Sequence, residues 1–355
     1  MSRFFDKRFS ELEAYTPGEQ PRDMKYVKLN TNESPYPPSP GVIKAMAERE
    51  LSERMRLYPD PECLAVRESL AALLGVGKDE LVLTNGSDES LAFAFMSFCE
   101  RGVIFPEISY GFYKVFAQLY GLNYRQIPLK DDFTIDPDDY IGTDETVFIA
   151  NPNAPTGLFM PLCDIERIAA SNPDRLVVID EAYVDFGGES AIPLTKKYDN
   201  LLVIQTFSKS RSMAGARLGF AVGCADIIRD MNTIRYSTNP YNINSATLAM
   251  ASAAVADNDY YLDNCKKIIN TRTDTTEKLR ALGFEVLDSK CNFIFAKHPL
   301  LDGEAYYKEL KSRGVLVRHF GSEKIRDYNR ITIGTPEMMD TLLKQTREIL
   351  GAKRG

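Results

Sequence analysis

The residue with the most chemistry to offer is a lysine placed just after a buried-type apolar run. Leu201-Leu202-Val203-Ile204-Gln205 leads into Thr206-Phe207-Ser208-Lys209, and Arg217 follows eight residues later. A lysine amine becomes a nucleophile toward aldehydes when burial or nearby cations lower its pKa. Thr206, Ser208 and Arg217 are residue types that hold a phosphate. Between them, Ala214 and Gly215 imply backbone packed close to something, which argues against a plain solvated basic loop. A second segment, Val177-Val178-Ile179-Asp180-Glu181-Ala182-Tyr183, puts an acid at the end of an apolar run. A buried carboxylate is costly without a cationic partner, and a protonated ring nitrogen would serve; an Asp capping the next turn is the plainer alternative. A third, Asn85-Gly86-Ser87-Asp88-Glu89, is a glycine turn opening into a helix. Free N–H groups and the helix dipole suit an anion there, although a helix start capped by Ser87 or Asp88 explains the segment taken alone. The fourth, Asn151-Pro152-Asn153-Ala154-Pro155-Thr156-Gly157, is a rigid turn whose asparagines could aim amides at a ring substituent; by itself it signals only a turn.

Composition narrows the partners. At 355 residues the chain allows one large domain or two moderate ones, and 44% hydrophobic with 26% charged residues is ordinary for a globular protein. The net charge of −7 gives no reason to expect nucleic acid or an anionic membrane. An anionic substrate would need a few arginines or lysines placed against the global sign. With only His298 and His319 present, zinc sites and histidine-dependent triads are disfavoured, and no metal is expected. The six cysteines are far apart and form no C-x-x-C pair, which suits a reduced, cytoplasmic chain. No apolar run approaches the ~20 residues of a membrane span, and Met1–Phe9 lacks the apolar stretch of a secretory signal. Gly75-Val76-Gly77-Lys78-Asp79 matches neither the dinucleotide fingerprint nor the P-loop.

The elements that must position these residues alternate. Residues 1–40, with Pro35-Tyr36-Pro37-Pro38-Ser39-Pro40, read as an irregular arm. Helical spacing runs over Leu64–Leu74 and stops at Gly75. Leu81–Thr84, Val103–Phe105, Thr146–Ala150, Leu176–Ile179, Leu201–Gln205 and Leu218–Val222 read as short strands, most without period-2 alternation, so buried on both faces. Helical stretches between them, one of which starts at Asp88, argue a mostly parallel sheet covered on both sides. Ligands in such sheets sit beyond the carboxyl ends of the strands, so the four segments can share one site. After Ser245 come one or two long helices to Gly283. Strand Asn292–Lys297, helix Gly303–Arg313, strand Gly314–Phe320, strand Arg330–Thr335 and helix Pro336–Leu350 then make a second, smaller α/β unit. The division falls within 240–275 and is placed at 250, giving a large domain over 41–250 and a small one over 251–355.

The order and spacing of these segments, above all Ser208-Lys209 with Arg217 at +8, resemble the fold type I aminotransferases that use pyridoxal 5′-phosphate. The resemblance covers nearly the whole chain. It is most similar to the histidinol-phosphate aminotransferase family through Tyr15-Thr16-Pro17-Gly18, Leu29–Pro35, Tyr58-Pro59-Asp60, Asn292–Phe295, Val315–Phe320 and Arg330–Thr335. It implies a large domain with a mostly parallel seven-stranded sheet and a smaller C-terminal domain. It implies that Lys209 bonds the cofactor aldehyde and later moves the proton at the substrate Cα. Asp180 would pair with the ring nitrogen, Tyr183 would bond the ring 3-oxygen, and Tyr110 would stack on the ring. Ser87, Asp88, Thr206, Ser208 and Arg217 would hold the phosphate, with Tyr58 reaching it from a second subunit of a homodimer. The superfamily carries Asn just before Pro-Thr-Gly; here that position is Ala154, and Asn153 is expected to stand in or Tyr183 to act alone. Tyr15, Asn32, Arg318 and Arg330 would bind the substrates: a phosphorylated amine, histidinol phosphate, and 2-oxoglutarate or glutamate. A lyase like threonine-phosphate decarboxylase and a broad aromatic aminotransferase are the alternatives on this scaffold. A cofactor-binding regulator is disfavoured, because the proline-rich arm cannot form a helix-turn-helix domain.

Overall fold

The computed structural model describes residues 2–10 and 12–352; residues 1, 11 and 353–355 of the expected arm and small domain lie outside the described residues. The arm carries β1 (Val27–Lys28), then α1 (Pro40–Met46) and α2 (Arg49–Arg54). Proline's fixed φ and missing N–H fit the first turn of a helix, so α1 begins where the proline run ends. The large domain follows with α3 (Leu64–Leu74), β2 (Leu81–Thr84), α4 (Ser87–Phe98), β3 (Val103–Pro106), α5 (Phe112–Leu119), β4 (Tyr124–Ile127) and β5 (Thr146–Ala150). It continues with α6 (Leu162–Ser171), β6 (Val177–Asp180), β7 (Leu201–Thr206), β8 (Gly219–Val222) and α7 (Ala225–Thr238).

These strands form one seven-stranded sheet in the order β2-β8-β7-β6-β5-β3-β4. Only β8 runs antiparallel to its neighbours β2 and β7; the remaining pairs are parallel. Successive residues of each strand face opposite sides. Val147, Ile149, Val177, Ile179, Leu201 and Val203 enter one core, while Phe148, Val178, Leu202 and Ile204 enter the other. Burial on both faces is why these strands read as unbroken apolar runs. Edge strand β4 was invisible in the sequence because Arg125 and Gln126 are exposed.

Helices α8 (Ser245–Ala256) and α9 (Asn258–Ala281) lead to the small domain. Ala251, Ala254, Val255 and Tyr261 lie in a large-domain core, whereas Cys265, Ile268 and Leu279 lie in the small-domain core. The core changes between Tyr261 and Cys265, so a boundary at 250 cuts a helix of the large domain. An uncharged, alanine-rich α8 carries no sequence mark of which core it joins. The small domain adds β9 (Glu285–Val286), β10 (Phe293–Lys297), α10 (Gly303–Ser312), β11 (Val315–Leu316), β12 (Arg318–His319), β13 (Asn329–Thr332) and α11 (Pro336–Ala352). The expected single strand over 314–320 is two. β11 pairs with β1 of the arm, and past Val317 the chain switches sheets so that β12 joins β13. Two consequences matter for the site: the arm is stitched into the small domain, and Arg318 stands directly opposite Arg330.

Candidate active site

Parallel pairing in register brings Ala150, Asp180 and Ile204 level, so β5, β6 and β7 end along one edge. The turns beyond that edge enclose a cavity of about 110 Å³ lined by Ser87, Asp88, Tyr110, Ala154, Asp180, Tyr183, Thr206, Ser208, Lys209 and Arg217. It opens into a cleft of about 530 Å³ bounded by Tyr15, Asn32, Arg318 and Arg330, with Tyr110, Ala154, Tyr183 and Lys209 on the shared wall.

Asp180 is buried at the floor. Its Oδ2 accepts from the Tyr113 hydroxyl at 2.9 Å and its Oδ1 from the Ala182 amide at 3.2 Å. Burial still raises its pKa to about 6, against the opposing pull of those two donors. A buried carboxylate in that condition favours a cationic partner. Tyr113 was missed in the sequence: on α5 its spacing and full burial are those of a core tyrosine. Lys209 shows the reverse shift. Burial, then the charge of Arg330, lowers its amine to about 8. Its Nζ donates to the Thr31 carbonyl at 3.3 Å and lies 5.7 Å from the Tyr183 ring centre.

The far end of the inner cavity is built for an anion. Helix α4 starts at Ser87 with Gly86 as its N-cap, not Ser87 or Asp88 as the sequence suggested. Gly86 has φ +77°, and a Cβ there would lie 2.5 Å from Arg217 Nη2. A Cβ on Gly219 of β8 would come within 2.4 Å of Gly86 C and Ser87 N. Two glycines thus let the first turn of α4, whose amide donors have no partner in their own helix, sit against the strand and beside Arg217. The Arg217 guanidinium bonds Asp88 Oδ2 at 3.1 Å, and Tyr110 donates to Asp88 Oδ1 at 2.7 Å. Thr206 and Ser208 are buried beside them, with the Ser208 amide donating to Thr206 Oγ1 at 3.0 Å.

One expectation needs correction. Asn153 does not replace the amide missing at 154. Its Nδ2 donates to the Ile108 carbonyl and to Thr156 Oγ1, its Oδ1 accepts from Ser109, and it stays out of the inner cavity. The turn needs that side chain to tie its own loops, so Ala154 presents a methyl group to the site. Asn32, expected at a substrate, borders the cleft and spends one side-chain N–H on the Tyr183 hydroxyl and one lone pair on Thr332. Tyr58, expected to reach the cavity of a second subunit, does not line that of its own chain. It is 81% exposed and stacks on Tyr241 with ring centres 4.5 Å apart.

The outer cleft is cationic against the global charge. Arg318 and Arg330 are cross-strand partners, a pairing that like charges disfavour unless an anion lies between them. Arg330 donates to the Asn30 carbonyl at 3.0 Å and leaves its buried Nε without a partner among the described residues. Burial lowers its pKa, and the charge of Arg318 lowers it further. Arg318 makes only long contacts, 3.4 and 3.5 Å, to the carbonyls of Thr16 and Pro17. Tyr15 closes the side, stacked on Phe112 at 4.3 Å. His319 bonds the Arg326 carbonyl at 2.8 Å and His298 is a buried packing residue against Phe284; neither lines the cavity or the cleft.

The inner cavity therefore fits a flat group with three features: a ring nitrogen that can carry a proton over Asp180, an aldehyde within reach of Lys209, and a phosphate at the start of α4. Residues 24–345 match the family described as aminotransferase class I and II. A histidinol-phosphate aminotransferase from Brachyspira hyodysenteriae is 51% identical over 353 residues, covering 99% of each chain. Another, from a Marinomonas species, is 51% identical over 347 residues, 96% of this chain and 98% of that relative. The crystal structure of histidinol-phosphate aminotransferase from Sinorhizobium meliloti in complex with pyridoxal-5′-phosphate superposes with a TM-score of 0.84 at 26% identity, covering 92% of each chain.

Proposed function

The chain belongs to the class I and II aminotransferases and, within them, to the histidinol-phosphate aminotransferase family; from that membership we propose that it moves the amino group of histidinol phosphate to 2-oxoglutarate, with pyridoxal 5′-phosphate as its cofactor. The observation that carries the substrate choice is the facing pair Arg318 and Arg330 at the mouth of a cavity whose floor holds Lys209 and Asp180. Histidinol phosphate carries a dianionic phosphate and 2-oxoglutarate two carboxylates, and two guanidinium groups serve either.

The chemistry supplied by the bound cofactor is an aldehyde that takes up the amine and a ring that draws electrons from the substrate Cα. Asp180, its charge held by Tyr113 and the Ala182 amide, keeps the proton on the ring nitrogen. Arg217, Thr206, Ser208 and the Ser87 and Asp88 amides grip the phosphate, while Asp88 orients Arg217. Lys209, with its amine near pKa 8, binds the aldehyde as a neutral nucleophile. Displaced by the substrate, the same amine would serve as the base that takes the proton from the substrate Cα and later gives it back. Tyr110 covers the ring face and narrows water's access.

A homodimer and a cytoplasmic location belong to the same proposal. Exposed Ile43, Met46, Met55, Leu57, Tyr58 and Tyr241 cluster on the elements around α1, α2 and the start of α8, as expected of a face covered by a second copy that receives Tyr58. All six cysteines are unpaired, which suits a reducing compartment.

The test is the formation of glutamate from 2-oxoglutarate by the cofactor-loaded protein when histidinol phosphate is added. No glutamate would end the substrate assignment, and carbon dioxide from threonine phosphate would replace it with a lyase. Arg318→Gln separates function from stability. It removes one charged hydrogen-bonding group from the anion and is expected to lower kcat/KM for histidinol phosphate by roughly 10- to 100-fold. It also relieves the like-charge pair, so the ligand-free variant should melt slightly higher than the parent. Thermal unfolding and steady-state kinetics on the same preparation check both.

A further inference from the structure

Three consecutive residues of the arm each touch a residue of the site. The Asn30 carbonyl accepts from Arg330, the Thr31 carbonyl from Lys209, and Asn32 Nδ2 donates to the Tyr183 hydroxyl at 3.0 Å. Asn32 is the most constrained of them. Its backbone is left-handed, with φ 56°, a conformation asparagine tolerates better than most residues. Its amide N–H donates to Thr332 Oγ1 at 3.0 Å, and that hydroxyl donates back to Asn32 Oδ1 at 3.1 Å. Its carbonyl accepts from Asn292 Nδ2 at 3.0 Å. The Thr332 hydroxyl thereby fixes which end of the Asn32 side chain meets Tyr183: the donating NH₂.

A tyrosine hydroxyl has one proton to give and two lone pairs to receive. A donor seated in one lone pair leaves the proton for a different acceptor. Tyr183 stands on the wall shared by the cavity and the cleft, held edge-on against Phe293 at 5.1 Å. Beside it, in the same packed cluster, the wall at 154 is a methyl group, and the Asn153 amide is spent on its own loop. The hydrogen-bond donor on this side of the cavity is therefore Tyr183, and the direction of its proton matters.

We propose that Asn32 is a positioning residue: locked by Thr332, its side-chain amide occupies a lone pair of the Tyr183 hydroxyl and so directs that hydroxyl's proton onto the ring oxygen of the bound cofactor. The inference rests on the cofactor reading above. It assigns the arm a part in the reaction that Asn32 plays through Tyr183, without touching substrate.

The test reads the absorption of the cofactor bonded to Lys209 as a function of pH. A donor to the ring oxygen stabilises negative charge there and weakens the hold of the neighbouring nitrogen on its proton. Asn32→Asp keeps the size and the left-handed backbone but presents an oxygen that draws the tyrosine proton away. The midpoint of the absorption change is expected to rise by about one pH unit. Tyr183→Phe should raise it by a similar amount, and the double variant no further. Asn32→Gly, which accepts the same backbone without adding a charge, should move it in the same direction by less, and by nothing in the Tyr183→Phe background. An unchanged midpoint in both Asn32 variants overturns the inference. So does a shift that persists in full without the Tyr183 hydroxyl, since that would be the charge of a new carboxylate acting alone. A parent protein that shows no such absorption band removes the cofactor reading itself, and this inference with it; a normal parent band with unmoved variants removes only the inference.

Discussion

Lys209→Ala is expected to lower transamination by about 10⁴-fold or more, the upper range of what a positioned proton-transfer group contributes, while the cofactor still binds. The variant loses both jobs of one amine: the bond to the aldehyde and the proton transfer at Cα. It keeps Arg217, Thr206, Ser208 and the start of α4, which line the inner cavity and would hold the phosphate, and Asp180 at its floor. Equilibrium dialysis of cofactor against the variant, beside single-turnover kinetics, checks the two halves separately. Retained turnover would remove the proposed mechanism. The pH dependence carries a sign of its own. Burial and Arg330 lower the Lys209 amine to about 8, so its neutral, reactive fraction grows as pH rises and reaches one half near pH 8. The rate at which cofactor-free protein bonds the aldehyde should climb through this range, reach half its maximum near pH 8 and level off about one unit above. An unperturbed lysine would keep climbing to about 10.4.

Asp180→Asn should cost on the order of 10³-fold in kcat at saturating cofactor. The substitution is nearly isosteric. Its amide oxygen can still accept from Tyr113, so packing and that hydrogen bond are kept, while the charge and the acceptor for the Ala182 amide are lost. Without the charge the ring nitrogen gives up its proton, and the pull on the Cα electrons weakens. Tyr113→Phe isolates the support from the charge. Removing one buried hydrogen bond to the carboxylate should cost roughly tenfold. If Asp180→Asn and Tyr113→Phe proved equally mild, the carboxylate would be a packing group. Rapid-quench measurement of one turnover distinguishes the outcomes without interference from product release.

These effects converge because the sheet delivers the groups as a set. Ala150, Asp180 and Ile204 are level by register on adjacent parallel strands, which sets the turn after Ala150, Asp180 and, two residues past Ile204, Thr206 along one edge. Small displacements of one strand would misplace all three, which is the reason both faces of the sheet are packed so completely. The small domain supplies the other wall through Arg318 and Arg330, and the arm, paired by β1 to β11, ties the two walls together at Asn30, Thr31 and Asn32.

By itself the sequence determined the alternation of apolar runs with helical stretches, and hence a two-sided parallel sheet, because strands buried on both faces and capped helices leave local marks. It also marked Lys209, Asp180 and Arg217, charged residues next to apolar runs, and the fold brings all three to one cavity. Whatever depended on the partner of a side chain was decided only by the tertiary structure. Asn153, one residue from the expected amide, was drawn to Ile108 and Ser109, which lie more than forty residues away in the chain. Asn32 met Thr332 and Tyr183 across 300 and 151 residues, contacts that no local pattern announces. Tyr113 reads as core on its own helix and becomes the donor to Asp180 only once α5 is laid against β6. The break of 314–320 into two strands, which sets Arg318 opposite Arg330, follows from the arm claiming β11. Hydrogen-bond capacity is short-ranged and is satisfied by whatever the fold brings near. Apolar periodicity is a local pattern and reports burial without reporting the neighbour.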